Sequence, residues 1–148
     1  MSREGAGLVY HFGVGLGFLA TVRRDGGPRV HPMCPLLADE HLWCFIVPSP
    51  KQSDLRRDGR YALHSETCPP PREEDGFAII GLAAEVTDPA VRAAVREQVL
   101  AERDGNTWPS FDADVLFELR IERCLLMLTQ SDGTFPRGPT RWRVKVTG

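Results

Sequence analysis

The chain has 148 residues, 42% of them hydrophobic and 26% charged, values that suit one folded domain with a core of its own. Eighteen Lys and Arg stand against 20 Asp and Glu, a formal charge of −2, so no basic footprint points to nucleic acid. Met1 to Gly7 lacks the basic-then-apolar pattern of a signal peptide, and the longest apolar stretch, Phe77 to Ala84, is too short to span a membrane. A cytoplasmic protein is expected.

Phe18 to Arg23 reads as a first strand with Phe18, Ala20 and Val22 on one face, and Asp25-Gly26-Gly27 supplies the positive φ that a tight turn needs. Arg29 to Met33 resumes as a second strand, with Arg29, His31 and Met33 facing opposite to Val30. Leu42 to Val47, rich in aromatic and β-branched residues, is a third, and three short strands at this spacing predict a meander. A helix follows, with Ser49 as N-cap, Pro50 at its first position and Gly59 at its stop. Tyr61 to Ser65 is a fourth strand, and the proline- and acid-rich run from Thr67 to Asp75 is a surface loop.

Phe77 to Val86 is apolar on both faces for most of its length. That predicts burial on both sides, by the barrel interior and by a helix or a second subunit. Asp88 caps a second helix opened by Pro89, with Val91, Ala94, Val95, Val99 and Leu100 as its apolar stripe and Asp104-Gly105 as its end. Val115 to Thr129 makes one long strand, and Arg141 to Val146 a last one with Trp142, Val144 and Val146 on one face. Few helices and hairpin-connected strands argue against a parallel βαβ sheet and for an antiparallel β-barrel capped by two or more helices, with residues 1–148 as a single domain.

Cys34, Cys44, Cys68 and Cys124 form no C-x-x-C pair and match no zinc spacing, so free thiols are the expectation, although Cys34 and Cys44 could face each other on paired strands. No metal site is expected, and His11, His41 and His64 read as surface or core residues. Gly13, Gly15 and Gly17 precede a strand and not a helix, which discards a dinucleotide fingerprint. No nucleophile–base pair is readable from spacing.

Two blocks carry a family resemblance. The run Leu19-Ala20-Thr21-Val22-Arg23-Arg24-Asp25-Gly26-Gly27-Pro28-Arg29-Val30-His31-Pro32-Met33 resembles the opening hairpin of pyridoxamine 5'-phosphate oxidase-like flavoproteins. The strand Leu42 to Val47 followed by Ser49-Pro50-Lys51-Gln52-Ser53-Asp54-Leu55 resembles their next block, and the Phe77 strand opening into an Asp-Pro helix matches the family order. The resemblance spans Gly17 to Leu100 by residues and the C-terminal third by order of elements. It implies an FMN-binding split β-barrel, working as a homodimer with two cofactor sites at the subunit interface. The implied cofactor is FMN, with a deazaflavin or haem as alternatives, or none.

Lys51 stands in the first turn of the first helix, just behind Ser49. Free N–H groups at a helix start, a hydroxyl and an ammonium together make an anion site, and the family binds the cofactor phosphate with this block. A capped surface helix with a solvated lysine is the plain alternative. The resemblance puts Arg29 and His31 of the second strand beside the cofactor and the backbone of Val47 and Pro48 near the ring edge; Trp142 on the last strand either stacks on the ring, covers it from the partner subunit, or is a core aromatic. Pro50 stands where many relatives carry an arginine and Asp54 where many carry asparagine; losing the arginine removes a bidentate phosphate ligand. The expected activity is a flavin-dependent oxidoreductase acting on a small redox substrate or a nicotinamide donor, with catalytic residues unassigned. A non-enzymatic flavin, deazaflavin or haem binder and a cofactor-free dimeric relic of the fold are the competing readings.

Overall fold

A computed structural model of the chain describes residues 16–65, 76–102, 113–127 and 140–144. In chain order its elements are β1 (Gly17–Val22), β2 (Pro28–Met33), β3 (Leu36–Ala38), β4 (His41–Ile46), α1 (Pro50–Arg57), β5 (Arg60–Ser65), β6 (Gly76–Val86), α2 (Pro89–Glu102), β7 (Val115–Met127) and β8 (Thr140–Arg143). The strands form one antiparallel sheet in the order β2-β1-β5-β6-β7-β4-β3, with β8 also paired to β7. The sheet curls so that one face becomes the interior of a split barrel.

The expected meander stops after one hairpin. β1 pairs with β2 and β5, while β4 pairs with β3 and β7. Two features of the sequence account for this. β2 carries Pro28 and Pro32, which lack the N–H that a strand with two neighbours must donate, so it suits a sheet edge. The short strand β3, absent from the sequence reading, captures β4 through a two-residue turn in which Asp39 and Glu40 both have positive φ, 49° and 65°. The β1–β2 turn is as expected: Gly26 sits at φ 83°, and the Asp25 carboxylate accepts from the Gly27 N–H at 3.0 Å.

Inside the barrel, Leu19, Leu63, Ile79, Phe117 and Leu119 are buried against one another, and Leu55 of α1 closes one end. A second cluster lies on the outer face, where Leu36, Trp43 and Leu116 pack against Val95 of α2. Asp88 caps α2 as expected, its Oδ1 accepting from the Ala90 N–H at 2.8 Å. Of the predicted α2 stripe, Val91, Val95 and Val99 join this cluster, whereas Ala94 is exposed. The expected helix end at Asp104-Gly105 lies outside the described residues, as do Thr129, Val146 and the 67–75 loop.

Through its middle β6 is buried on one face only. Phe77 and Ile79 point into the barrel, while Ile80 and Leu82 are each 45% exposed on the other side. The reason is topological: α2 leaves β6 through Thr87-Asp88 and packs on β3, β4 and β7, so it does not cover the middle of β6. Across this bare region Val30, Ala20, Ala62 and Ile80 stand directly opposite one another on four adjacent strands. Phe18, Ala20 and Val22 do share a face, and it is this outer one. Glu122 is the extra residue of a bulge between β6 and β7 beside Gly81, where a Cβ would lie 1.8 Å from the Arg120 carbonyl oxygen.

Candidate functional site at the start of α1

The first turn of α1 has Pro50 at its head and no acidic residue. Ser49 occupies the N-cap position, but its hydroxyl caps nothing; it donates to the Val47 carbonyl at 2.8 Å. The first-turn N–H groups therefore have no side-chain acceptor, and their partial positive charge is available to an anion. Lys51 is half-buried beside them, with one long contact to the Pro32 carbonyl at 3.4 Å. Its charge acts on buried Cys44, whose thiol burial pushes up to about 12 while Lys51 partly opposes the rise. Val47 and Pro48 are both exposed at the same corner.

β2 runs alongside this helix. Arg29, His31 and Met33 face inward as the alternation predicts, and Val30 faces out. One position before the carbonyl that meets Lys51, His31 carries a buried Nε2 with no hydrogen-bond partner among the described residues. An unsatisfied buried imidazole nitrogen is costly unless something pairs with it.

Arg29 is differently placed. Its Nε donates to Asp54 Oδ2 at 2.7 Å, and the same oxygen accepts from Thr21 Oγ1 at 3.1 Å. Arg57 donates to Asp54 Oδ1 at 3.2 Å and also to the Val22 carbonyl. Asp54 is almost fully buried. Burial alone would raise its carboxyl, but the hydrogen bonds from Arg29, Thr21 and Arg57 outweigh that and hold it below the usual carboxylate range. Sequence reasoning noted Asp54 only as a departure from asparagine. Thr21, a polar residue on the inward face of β1, was the available signal for a buried acceptor nearby.

Trp142 is not at this corner. It lies on β8 opposite Cys124 of β7, and it lines a cleft of about 710 Å³ shared with His41 and Leu42 at the beginning of β4. Val47 and the start of α1 follow the other end of that strand, roughly 20 Å away at about 3.3 Å per residue. The structure thus brings together Arg29, His31, Val47, Pro48, Ser49 and Lys51, and sets Trp142 apart. The cysteines stay apart: Cys34, Cys44 and Cys124 are free, and Cys34 lies in the link between β2 and β3, on no strand, so it and Cys44 are not a pair on paired strands. Among the described residues no group of three His, Cys, Asp or Glu is placed to hold a metal ion, and no helix is long and apolar enough to cross a membrane.

No protein-family model matches the chain, and no curated protein matches it in sequence. Solved structures do match. A protein related to general stress protein 26, of the pyridoxinephosphate oxidase family, from Clostridium acetobutylicum superposes with a TM-score of 0.65 at 13% identity, over 95% of this chain and 92% of that one. A FAD-binding protein from Mesorhizobium loti gives 0.63 at 24% identity, over 84% and 92%. A heme binding protein from Mycobacterium smegmatis gives 0.68 at 15% identity, over 97% of this chain and 58% of that one. The chain has the fold of the pyridoxamine 5'-phosphate oxidase-like split barrels.

Proposed function

We propose that this chain is a homodimeric flavin-binding oxidoreductase that holds FMN by its phosphate at the start of α1. The observation that carries the reading is the buried, unpartnered Nε2 of His31 beside Lys51 and an uncapped helix start. A ring nitrogen, an ammonium and free backbone N–H groups are the donor set that a phosphate takes. The similar structures include a FAD-binding and a heme binding protein, and both cofactors are planar rings bearing anionic groups. A bound flavin supplies the redox chemistry, accepting hydride from a nicotinamide or another small donor. The protein's own part is to bind the phosphate and to orient the ring along Val47 and Pro48. The bare outer face of β2, β1, β5 and β6 is the surface a second copy would bury, and Trp142 would reach the ring only from that second copy.

Titration of the purified protein with FMN and with riboflavin tests the site. Lys51→Ala weakens FMN binding by about 1–3 kcal/mol, the range for a charge-assisted hydrogen bond, and affects riboflavin, which lacks the phosphate, much less. Equal losses for both ligands would remove Lys51 from the phosphate. Bleaching of the bound flavin's yellow colour by a reduced nicotinamide is expected of an oxidoreductase. One observation favours a second reading, a non-enzymatic flavin carrier: Arg29, the basic residue best placed to reinforce the phosphate, is engaged by Asp54. A flavin that binds but is reduced by no nicotinamide would select it.

A further inference from the structure

The donors that hold Asp54 divide between its two oxygens. Arg57 donates to Oδ1 through both terminal nitrogens at 3.2 Å, while Oδ2 accepts from Arg29 Nε at 2.7 Å and from Thr21 Oγ1 at 3.1 Å. Taking Arg29 away would leave neither oxygen bare: Oδ1 keeps Arg57, and Oδ2 keeps the buried Thr21 hydroxyl. The carboxylate would still face one guanidinium charge, so the heavy penalty of an unpaired buried charge does not arise. The buried anion holds one cation more than it needs.

Arg29 is the member able to leave. Its side chain is 29% exposed against 5% for Asp54, and it gives the carboxylate only its Nε. Neither terminal nitrogen of Arg29 has a partner among the described residues. Arg57, by contrast, is also anchored on the Val22 carbonyl. The register places the Arg29 side chain one step from the ligand corner. Asp54 follows Lys51 by three residues on α1, on the same side of the helix and about 4.5 Å along its axis. Arg29 precedes His31 by two residues on the inward face of β2. A guanidinium turning from Asp54 toward Lys51 therefore travels about one helix turn, within the sweep of an arginine stem.

We propose that Asp54 is an internal competitor for the ligand's phosphate: it holds Arg29 in the free protein and yields it when the anion arrives, while Arg57 and Thr21 keep the carboxylate satisfied. The inference rests on the reading that places a phosphate at the start of α1. A phosphate dianion offers Arg29 more charge than a carboxylate already shared with Arg57, which sets the direction of the exchange. Asp54 touches no ligand and acts through Arg29. It is a positioning residue that decides how strong an anion must be to recruit this arginine.

Calorimetric titration of the full chain with FMN and with riboflavin, across wild type, Arg29→Gln, Asp54→Asn and the double variant, tests the exchange. Arg29→Gln weakens FMN binding about tenfold and Asp54→Asn tightens it about three- to tenfold, the scale of one charge-assisted hydrogen bond partly offset by the contact given up. In the Arg29→Gln background, Asp54→Asn changes FMN affinity less than about twofold, because no arginine is left to withhold; a plain field effect of the carboxylate would persist there. Riboflavin binding is unmoved throughout. In wild type labelled at the arginine nitrogens, the Arg29 Nε–H resonance, identified by its loss in Arg29→Gln, shifts on addition of FMN and not of riboflavin. That readout does not require the Asp54 variant to fold. No binding of FMN, or equal wild-type affinity for FMN and riboflavin, would remove the phosphate from this corner and the exchange with it. Selective FMN binding with unchanged affinity in Arg29→Gln, an equal gain from Asp54→Asn with and without Arg29, or an Arg29 Nε–H resonance that FMN leaves in place would overturn the exchange alone.

Discussion

Over β3, β4 and the first residues of β7 the outer face of the sheet is sealed by α2, whereas over β2, β1, β5 and the middle of β6 an apolar outer face stays open to solvent. Both regions carry aliphatic and aromatic side chains, so composition does not separate them. Chain connection does. α2 follows β6 after two residues and packs on the strands beside the end of β6, while α1 follows β4 and turns Leu55 into the barrel. Neither helix is attached where it could cover Val30, Phe18 or Ile80. An apolar face that the described residues leave bare is the strongest local argument that something else covers it.

The sealed region breaks first under truncation. Leu116 is fully buried beneath α2, and Leu116→Ala is expected to cost about 2–5 kcal/mol in urea unfolding through lost burial and a residual cavity. On the open side the same measurement behaves differently. Ile80→Asp with Leu82→Asp changes two side chains of the outer face that are each 45% exposed, so its larger effect appears in assembly. Wild type gives a dimer mass by light scattering at micromolar concentration, and the double variant a monomer, a loss of about 2 kcal/mol or more if these residues sit at an interface centre. A monomeric wild type would end the homodimer reading and leave the two regions different for no functional reason.

Much of this contrast was legible in the sequence and part was not. The two-sided apolar pattern of Phe77 to Val86 predicted burial on both faces, which the structure does not show at Ile80 and Leu82, while Asp88-Pro89 announced the helix start. Which side α2 would cover could not be read, because that depends on β4 pairing with β7 and not with β2. β3 is three residues long, below the length at which alternation is visible, and its turn uses Asp39-Glu40 where the familiar signal would be Asn-Gly or Asp-Gly. At the site, the start of α1 and the inward face of β2 were readable from Pro50 and from period-two alternation. The Arg29–Asp54 pair was not, since residues 25 positions apart on a strand and a helix leave no local pattern.

That pair ties the site to the open side, because β2 is the edge strand of the bare region. Asp54→Asn loses charge-assisted hydrogen bonds to Arg29 and Arg57 and is expected to destabilise the chain by about 1–2 kcal/mol near neutral pH. The sign follows from the lowered carboxyl. Its contribution is full above the ordinary aspartate value of about 3.9 and is lost as pH falls through the lower folded-state value. The gap between wild type and variant in denaturant unfolding therefore narrows in acid. The variant also loosens Arg29, so FMN binding is expected to tighten even as the fold weakens. A gap that is the same at neutral and strongly acid pH would show that Asp54 is not the neutralised partner of the two arginines.

The smallest expected effect belongs to His31, and it is read as a slope. A phosphate dianion held against the buried Nε2 favours the imidazolium, so FMN binding takes up a proton at this position. Affinity then falls as pH rises through the neutral range in which imidazoles titrate. Lys51 on the facing helix and Arg29, paired with Asp54, are the other cations at this corner, and both are common to wild type and His31→Gln, so the comparison isolates position 31. The second ionisation of the phosphate, near pH 6, works in the opposite direction, which is why variants must be compared. His31→Gln keeps a donor but cannot titrate, and its affinity profile is expected to be flatter than that of wild type. His31→Arg holds affinity high across the range. Riboflavin binding should show no difference in slope between wild type and His31→Gln, since the dianion is absent. Superimposable FMN profiles for wild type and His31→Gln between about pH 6.5 and 8.5 would take His31 away from the phosphate.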